Sequence, residues 1–322
     1  MHNTKQAYGI IETLAPLHVG ATAGEESGNL NLIFRDSFTQ TGIIPGSSIR
    51  GRLRTMMRQI ELLEQAETLK NQAQTDSENA ETLKNQAQSL QDQAVAEENY
   101  WYGHEADSRQ TDATTESRIK IEQASIVWLP VFCPGQPIVW VSCPSLLKRY
   151  RRIVGQLVPT LQDISIPKPY TAAKGLNAPK SQHKKDKGKK VLFFNLGFLT
   201  LDHEVDLSPW FPPNLYCWSD RDESSIPAVV VDDKDIGMIH DMALYRQSRV
   251  ALEKTEKKAS QGAFFNTEAL PEGTILVFPI AIKPTPKPWT PFNTDSLSGD
   301  IYLGGLESIG FGHCQLTIHQ ED

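Results

Sequence analysis

Ile43-Ile44-Pro45-Gly46-Ser47-Ser48-Ile49-Arg50-Gly51-Arg52-Leu53-Arg54 reads as an extended strand that stops at Pro45 and a helix that starts at Ser47 or Ser48. Both serines are residue types that cap a helix N-terminus. Ile49, Leu53, Met56/Met57 and Ile60 recur at helical spacing and define a core-facing stripe. Arg50, Arg54 and Arg58 fall four apart on another face, and no acidic residue occurs between Gly46 and Arg58. A Gly-Ser-Ser helix start beside arginines is an anion site in outline, because the first amides of a helix lack partners and carry its positive end.

Upstream, residues 6–19 predict a strand, a small polar loop spans Gly20 to Gly28, and Leu30 to Phe34 is a second apolar run. Downstream the period changes. Leu62, Ala66, Leu69, Ala73, Asp76, Ala80, Leu83, Ala87, Leu90 and Ala94 alternate spacings of four and three, the mark of a heptad seam. The stretch Ala66–Gln74 repeats identically as Ala80–Gln88, two heptads later. Residues 62–94 form one long helix, or a hairpin broken at Thr75-Asp76-Ser77-Glu78-Asn79. Residues 95–116 read as a flexible return. Strands follow at Ile119–Trp128 and Pro137–Val141, then a Lys/Arg-rich helix from Pro144 to Leu157. The Pro-, Lys- and Gly-rich stretch 167–190 predicts a mobile loop. Strands are expected at 191–201, 228–231 and 274–282, and a helix over 233–248. Arg249–Leu252 and Gly262–Thr267 flank a charged turn, and a Gly-rich loop enters a last strand near the C-terminus. Many strands with few helices point to an α+β fold around a mostly antiparallel sheet.

The chain of 322 residues carries a net charge of −7, which by itself argues against nucleic acid. The distribution reverses that. Residues 61–112 hold twelve acidic and three basic side chains, so the rest holds 27 acidic and 29 basic ones. Within that near-neutral body, 168–190 has eight lysines against Asp186 alone. Phosphate contacts depend on such local patches rather than on net charge. Cys133, Cys143, Cys217 and Cys314 are too dispersed for a zinc knuckle or a disulfide scaffold. No apolar run approaches a membrane span and no secretory leader is visible, so a cytoplasmic location away from membranes is expected.

The loop Gly304-Gly305-Leu306-Glu307-Ser308-Ile309-Gly310-Phe311-Gly312 lacks the Gly-Lys-Ser/Thr of a Walker loop, and no helix follows it as in a dinucleotide fingerprint. Taken with Leu17-His18-Val19-Gly20, Phe34-Arg35-Asp36, the Pro45–Arg54 helix start, Val139–Arg149, Arg249–Leu252 and Gly262–Pro271, it resembles the RAMP proteins of CRISPR systems. The nearest likeness is the repeated backbone subunit of type III (Cmr/Csm-type) effector complexes, closest to the Cmr type. The resemblance covers both ends and the middle of the chain; 61–116 and 167–190 have no counterpart in it.

The resemblance implies a modified RRM (ferredoxin-like) antiparallel core built from 1–60 and 117–322, with 167–190 as a flexible basic loop or thumb and 61–116 as an acidic helical insertion. It implies a subunit that stacks with its copies along guide RNA (crRNA), pairs the guide with target RNA, and meets the large and small subunits of the complex. His18, Ser47, Ser48, Arg50, Arg52 and Arg54 would then contact the guide backbone, Gly304, Gly305, Gly310 and Gly312 would supply backbone donors, and Lys184 and Lys185 would belong to a mobile electrostatic arm. Binding needs no cofactor. The arms of the acidic insertion would repel RNA, point away from the guide, and meet a protein neighbour.

Cleavage turns on one loop. In the family an Asp after the first strand promotes metal-dependent cutting of target RNA, about six residues before the pair that corresponds here to Arg35-Asp36. That count lands on Leu30 and Asn31, and no Asp occurs before Phe34. A neutral amide is a poorer ligand for a hard cation than a carboxylate and takes up no proton. The expectation is a subunit that does not cleave. The alternative is an endoribonuclease using Glu25, Glu26 or Asp36 with Mg²⁺ or Mn²⁺. A third reading is a CRISPR RNA-processing endonuclease with His18 or His313 as base.

Overall fold

The computed structural model describes residues 4–20, 30–75, 79–104, 115–195, 197–218, 226–252, 259–292 and 296–321. Strands β1 (Lys5–Thr13), β2 (Leu30–Asn31) and β3 (Ile43–Ile44) precede helices α1 (Gly46–Met56), α2 (Ile60–Thr75) and α3 (Ala80–Tyr102). Next come β4 (Ile119–Ile121), β5 (Ala124–Cys133), β6 (Gln136–Ser142), α4 (Pro144–Val154) and β7 (Thr171–Ala173). A hairpin of β8 (Val191–Phe194) and β9 (Gly197–Thr200) leads to β10 (His203–Val205), β11 (Ala228–Val230) and α5 (Ile236–Ala243). The chain ends with β12 (Tyr245–Leu252), β13 (Ala259–Ala269), β14 (Ile275–Ile282), β15 (Ser298–Tyr302) and β16 (His313–Gln320).

The main sheet runs β10-β7-β11-β6-β5-β14-β1-β16-β15, with β3 added to β5 and β4 to β14. It is antiparallel through its centre, where β1 pairs with β14 and β16, and parallel at β11–β6 and β10–β7. Both faces are covered, which explains why β1 and β14 read as nearly continuous apolar runs. Ala7, Ile11, Leu276 and Phe278 pack towards Ile49 and Leu53 of α1, while Tyr8, Ile10, Ile275 and Val277 pack towards Leu147 and Tyr150 of α4. The α+β class expected from the sequence is the class observed.

Several local expectations change. The helix at the quoted stretch begins at Gly46 with Pro45 at its N-cap, and neither serine caps it. Of its core stripe, Ile49, Leu53 and Met57 are buried but Ile60 is exposed. Residues 6–19 are not one strand: β1 ends at Thr13, and beyond Pro16 Leu17 makes an isolated bridge to Leu270. Residues 191–201 fold back as a hairpin, with Phe193 opposite Phe198. The helix expected over 233–248 stops at Ala243, and Tyr245 already belongs to β12. The turn between β12 and β13, residues 253–258, lies outside the described residues.

The heptad segment is a helical hairpin. Ala66 and Ala73 of α2 and Ala87 and Ala94 of α3 are buried, and Leu62, Leu69, Leu83 and Leu90 are half-buried around them. Small residues along the seam let the two helix axes approach closely. Residues 95–102 are not a flexible return: α3 continues to Tyr102, and Trp101 and Tyr102 enter the main core. The heptad pattern fades there because the next buried group is a charged one, Glu98.

The 167–190 stretch is likewise built in. β7 joins the main sheet between β10 and β11. Ser181 N–H donates to the Lys189 carbonyl (2.8 Å), and Val191 N–H to the Pro179 carbonyl (2.9 Å). Lys189 pairs with Asp202 at 2.7 Å and Lys190 with Glu204 at 2.9 Å. Two of the lysines thus fasten the loop, whereas Lys184 and Lys185 are exposed.

Candidate nucleic-acid interface

Helix α1 presents three faces with three functions. Ile49 and Leu53 enter the core. Arg50, Arg54 and Arg58, four apart, meet α3. Arg50 donates to the Tyr102 carbonyl and lies 5.6 Å from the centre of the Tyr102 ring. Arg54 and Arg58 both grip Glu98, whose side chain is 2 % exposed. Burial opposes ionisation of Glu98, but the hydrogen bonds from Arg58 and Arg54 outweigh it and hold its carboxyl below the usual range. Donors of Arg50 and Arg54 thus root the helical hairpin in the body. The same contacts place the base of the acidic segment against α1.

The third face carries Ser48, Gly51, Arg52 and Thr55, spaced by three and four. It lines a cavity of about 430 Å³ closed by Gly20, Phe34, Tyr302, Gly304, Gly305 and Glu307. The Arg52 Nε is buried there with no hydrogen-bond partner. Leaving a buried donor unpaired costs about 1–3 kcal/mol, more when it is charged, which sets Arg52 apart from the paired arginines of the same helix. The first turn of α1 opens beside it and contains no acidic residue. Ser47 is exposed on that turn and is not part of the cavity lining.

The Gly-rich loop shapes this cavity by backbone conformation. Gly304 has φ +77° and Gly312 φ +86°, and a Cβ on either would overlap a carbonyl oxygen, that of His18 or of Leu303 respectively. The amides are committed internally: Gly305 to the His18 carbonyl (2.9 Å), Gly310 to that of Glu307 (3.0 Å) and Gly312 to that of Pro16 (2.9 Å). Through Gly305 and Gly312 the loop closes onto the 16–18 segment, while Gly310 closes the turn within the loop. His18 belongs to the same framework. It is buried, with Nδ1 2.6 Å from the Glu268 carbonyl, and does not line the cavity.

Sequence reasoning missed Tyr302. It borders the cavity half-exposed at the end of β15 and stacks on His313, with ring centres 5.0 Å apart and planes 18° from parallel. His313 Nε2 lies 3.2 Å from an Asp300 carboxylate oxygen. An aromatic residue just before a Gly-Gly pair was the signal available.

Among the described residues, those weighed for cleavage hold separate places in the fold. Asn31 sits in β2 in register with Thr267 of β13. Asp36 closes a tight turn, accepting from Phe38 N–H (3.0 Å), Thr39 N–H (2.9 Å) and the Thr39 hydroxyl (3.1 Å). Partial burial opposes its ionisation, but these bonds outweigh that and keep its carboxyl below the usual value. Its neighbour Arg35 bridges Asp241 (3.1 Å) and Glu268 (2.9 Å), which Arg246 also pairs, so this dyad ties α5 to the β12–β13 hairpin. Glu25 and Glu26 lie outside the described residues. Among the described residues no three His, Cys, Asp or Glu side chains stand together as metal ligands, and no helix is long and apolar enough to cross a membrane.

Comparison with solved structures finds the same fold in chains of type III-B Cmr-beta and in Cmr4. A chain of the apo type III-B Cmr-beta complex superposes with a TM-score of 0.61 at 14 % identity, over 98 % of this chain and 97 % of that one. A chain of Cmr-beta bound to cognate target RNA gives 0.59 at 16 % identity, over 99 % and 98 %. Oligomeric Cmr4 from Pyrococcus furiosus gives 0.58 at 15 % identity, over 99 % and 100 %. None of the curated proteins matches the sequence significantly. The family model of the RAMP superfamily matches residues 10–315, nearly the whole chain, and the chain therefore belongs to the RAMP superfamily.

Proposed function

We propose that this chain is a guide-RNA-binding backbone subunit of a type III CRISPR ribonucleoprotein, and that it holds guide and target RNA without cutting. The observation that carries the reading is the cavity at Arg52: an arginine with an unpartnered buried Nε, a helix start without acids and an exposed tyrosine converge on one hollow. Such a set suits a phosphodiester and its sugar, and reads no base identity, as a subunit that accepts any guide requires. Repetition of the subunit along the guide, with target RNA and the large and small subunits as further partners, follows the likeness to Cmr-type chains. The amide at Asn31, where the family's cutting members carry an acid, supports the non-cleaving half of the reading. Guide binding through Arg52 needs no metal; Mg²⁺ or Mn²⁺ enters only if the chain cleaves.

Reconstitution of the chain with its partner subunits and guide tests both halves. Arg52→Glu is expected to weaken guide retention at least tenfold, because it replaces a phosphate-binding cation by an anion. Arg52→Ala is expected to lower the slope of log affinity against log salt by about one. Undiminished guide retention in Arg52→Glu would remove the site. With labelled target RNA and Mg²⁺ or Mn²⁺, the wild-type chain leaves the strand intact at its own position, and Asn31→Asp gains a cut there. A wild-type cut that disappears in Glu25→Ala/Glu26→Ala would instead identify a metal-dependent endoribonuclease.

A further inference from the structure

A second hollow lies apart from the Arg52 cavity. It encloses about 530 Å³ between the 179–190 loop, the β8–β9 hairpin and the end of β5. Its interior is apolar: Val191, Leu192, Phe193 and Phe198 form one wall, with Cys133 and Pro179 alongside. Burial pushes the Cys133 thiol up, so the sulfur stays protonated. Phe193 and Phe198 face each other across the hairpin, centres 5.1 Å apart and planes tilted by 53°. Both show their rings to solvent, at 37 % and 79 % exposure, and Phe132 beside Cys133 is 63 % exposed. Phe193 and Phe198 thus form an exposed aromatic pair on the hollow, and exposed apolar patches of this kind mark binding surfaces.

The rim has the opposite character. Lys180 and His183 line the mouth, and Lys184, Lys185 and Lys187 stand exposed on the same loop. The one acid of that loop, Asp186, lies 3.5 Å from Lys189. Lys189 pairs with Asp202 and Lys190 with Glu204, at the end of the loop that carries this rim.

We infer that this hollow is a second RNA contact, in which an unpaired nucleobase stacks on Phe193 and Phe198 while its phosphates meet Lys184 and Lys185. Aromatic faces beside a cationic track are the means by which proteins hold single strands without reading sequence. A second copy of the chain fits less well. Its acidic helical hairpin complements the lysines, but residues 60–99 contain no aromatic side chain to fill the hollow. The inference rests on the reading of the chain as RNA-binding, but not on the Arg52 cavity.

The test is fluorescence anisotropy of the full chain with a labelled single-stranded RNA, comparing wild type, Phe198→Ala, Lys184→Ala/Lys185→Ala and Arg52→Glu. Folding of each variant is checked by circular dichroism; Phe198, largely exposed on a hairpin, is expected to be replaceable without unfolding. Phe198→Ala is expected to weaken binding about tenfold, and an oligonucleotide of abasic sites to bind wild type and Phe198→Ala alike. The lysine pair is expected to lower affinity and salt dependence together. In the assembled complex, 4-thiouridine placed in the guide or in the target and crosslinked to this loop identifies the strand. Unchanged RNA affinity in Phe198→Ala overturns the inference, and loss of self-association in that variant would assign the hollow to a second copy. Loss of affinity in Arg52→Glu alone would leave the first site standing and remove this one.

Discussion

Glu98→Ala is expected to lower the unfolding free energy by about 3 kcal/mol, the scale seen when one partner of a buried ion pair is removed. Glu98 is the buried anion that Arg54 and Arg58 share, with Arg58 Nε 2.5 Å from Oε2. Without it two guanidinium groups face each other across the root of the helical hairpin. Part of that cost is relieved because Arg54 and Arg58 retain some solvent contact. Urea unfolding followed by circular dichroism measures the change. A loss under 1 kcal/mol would mean that apolar packing of Trp101 and Tyr102 alone seats α3. The triple change Glu98→Met, Arg54→Met, Arg58→Leu is expected to recover most of the loss, since an apolar replacement leaves no orphaned charge. The pH dependence has a fixed sign. The folded-state carboxyl lies below its ordinary value of about 4.5, so its contribution is complete above that value and disappears as pH falls through the folded-state one.

Gly304→Ala is expected to be nearly as costly, about 2–4 kcal/mol, since it combines a left-handed backbone with a collision against backbone rather than a yielding side chain. The neighbour supplies the control. Gly305 has open space where a Cβ would sit and no such φ, so Gly305→Ala is expected to change stability by less than about 0.5 kcal/mol. Thermal or urea unfolding of the two variants separates them. Equal stabilities would show that the loop tolerates displacement from His18. Gly304→Ala is also expected to open the Arg52 cavity, because Gly304 and Gly305 form its lip.

The parts of this architecture that could be read in the sequence are those where one periodicity had one cause. The stripe Ile49–Leu53–Met57 and the alanine seam are spaced by packing alone, and both are buried as expected. The arginines of α1 show the limit. Arg50, Arg52 and Arg54 look equivalent in a linear reading, yet the helical turn sends the outer two to α3 and Arg52 to the cavity. The decisive partner, Glu98, is more than forty residues away, beyond the heptads, where no local signal links it to Arg54. Gly305 and Gly312 were legible as glycines but not as amides, because their acceptors on His18 and Pro16 lie at the other end of the chain. The lysine-rich loop shows the same limit: its composition resembles disorder, and its ion pairs run to the remote Asp202 and Glu204.

The twin nonapeptides of α2 and α3 carry a consequence for growth. The two copies stand two heptads apart in the seam, so gain or loss of whole heptads in both arms preserves which residues face inward. One heptad per arm changes the reach by about 10 Å and leaves Arg54, Arg58 and Glu98 untouched. The arm is a telescoping boom on a fixed pivot, whose length can be reset in whole heptads without rebuilding its root.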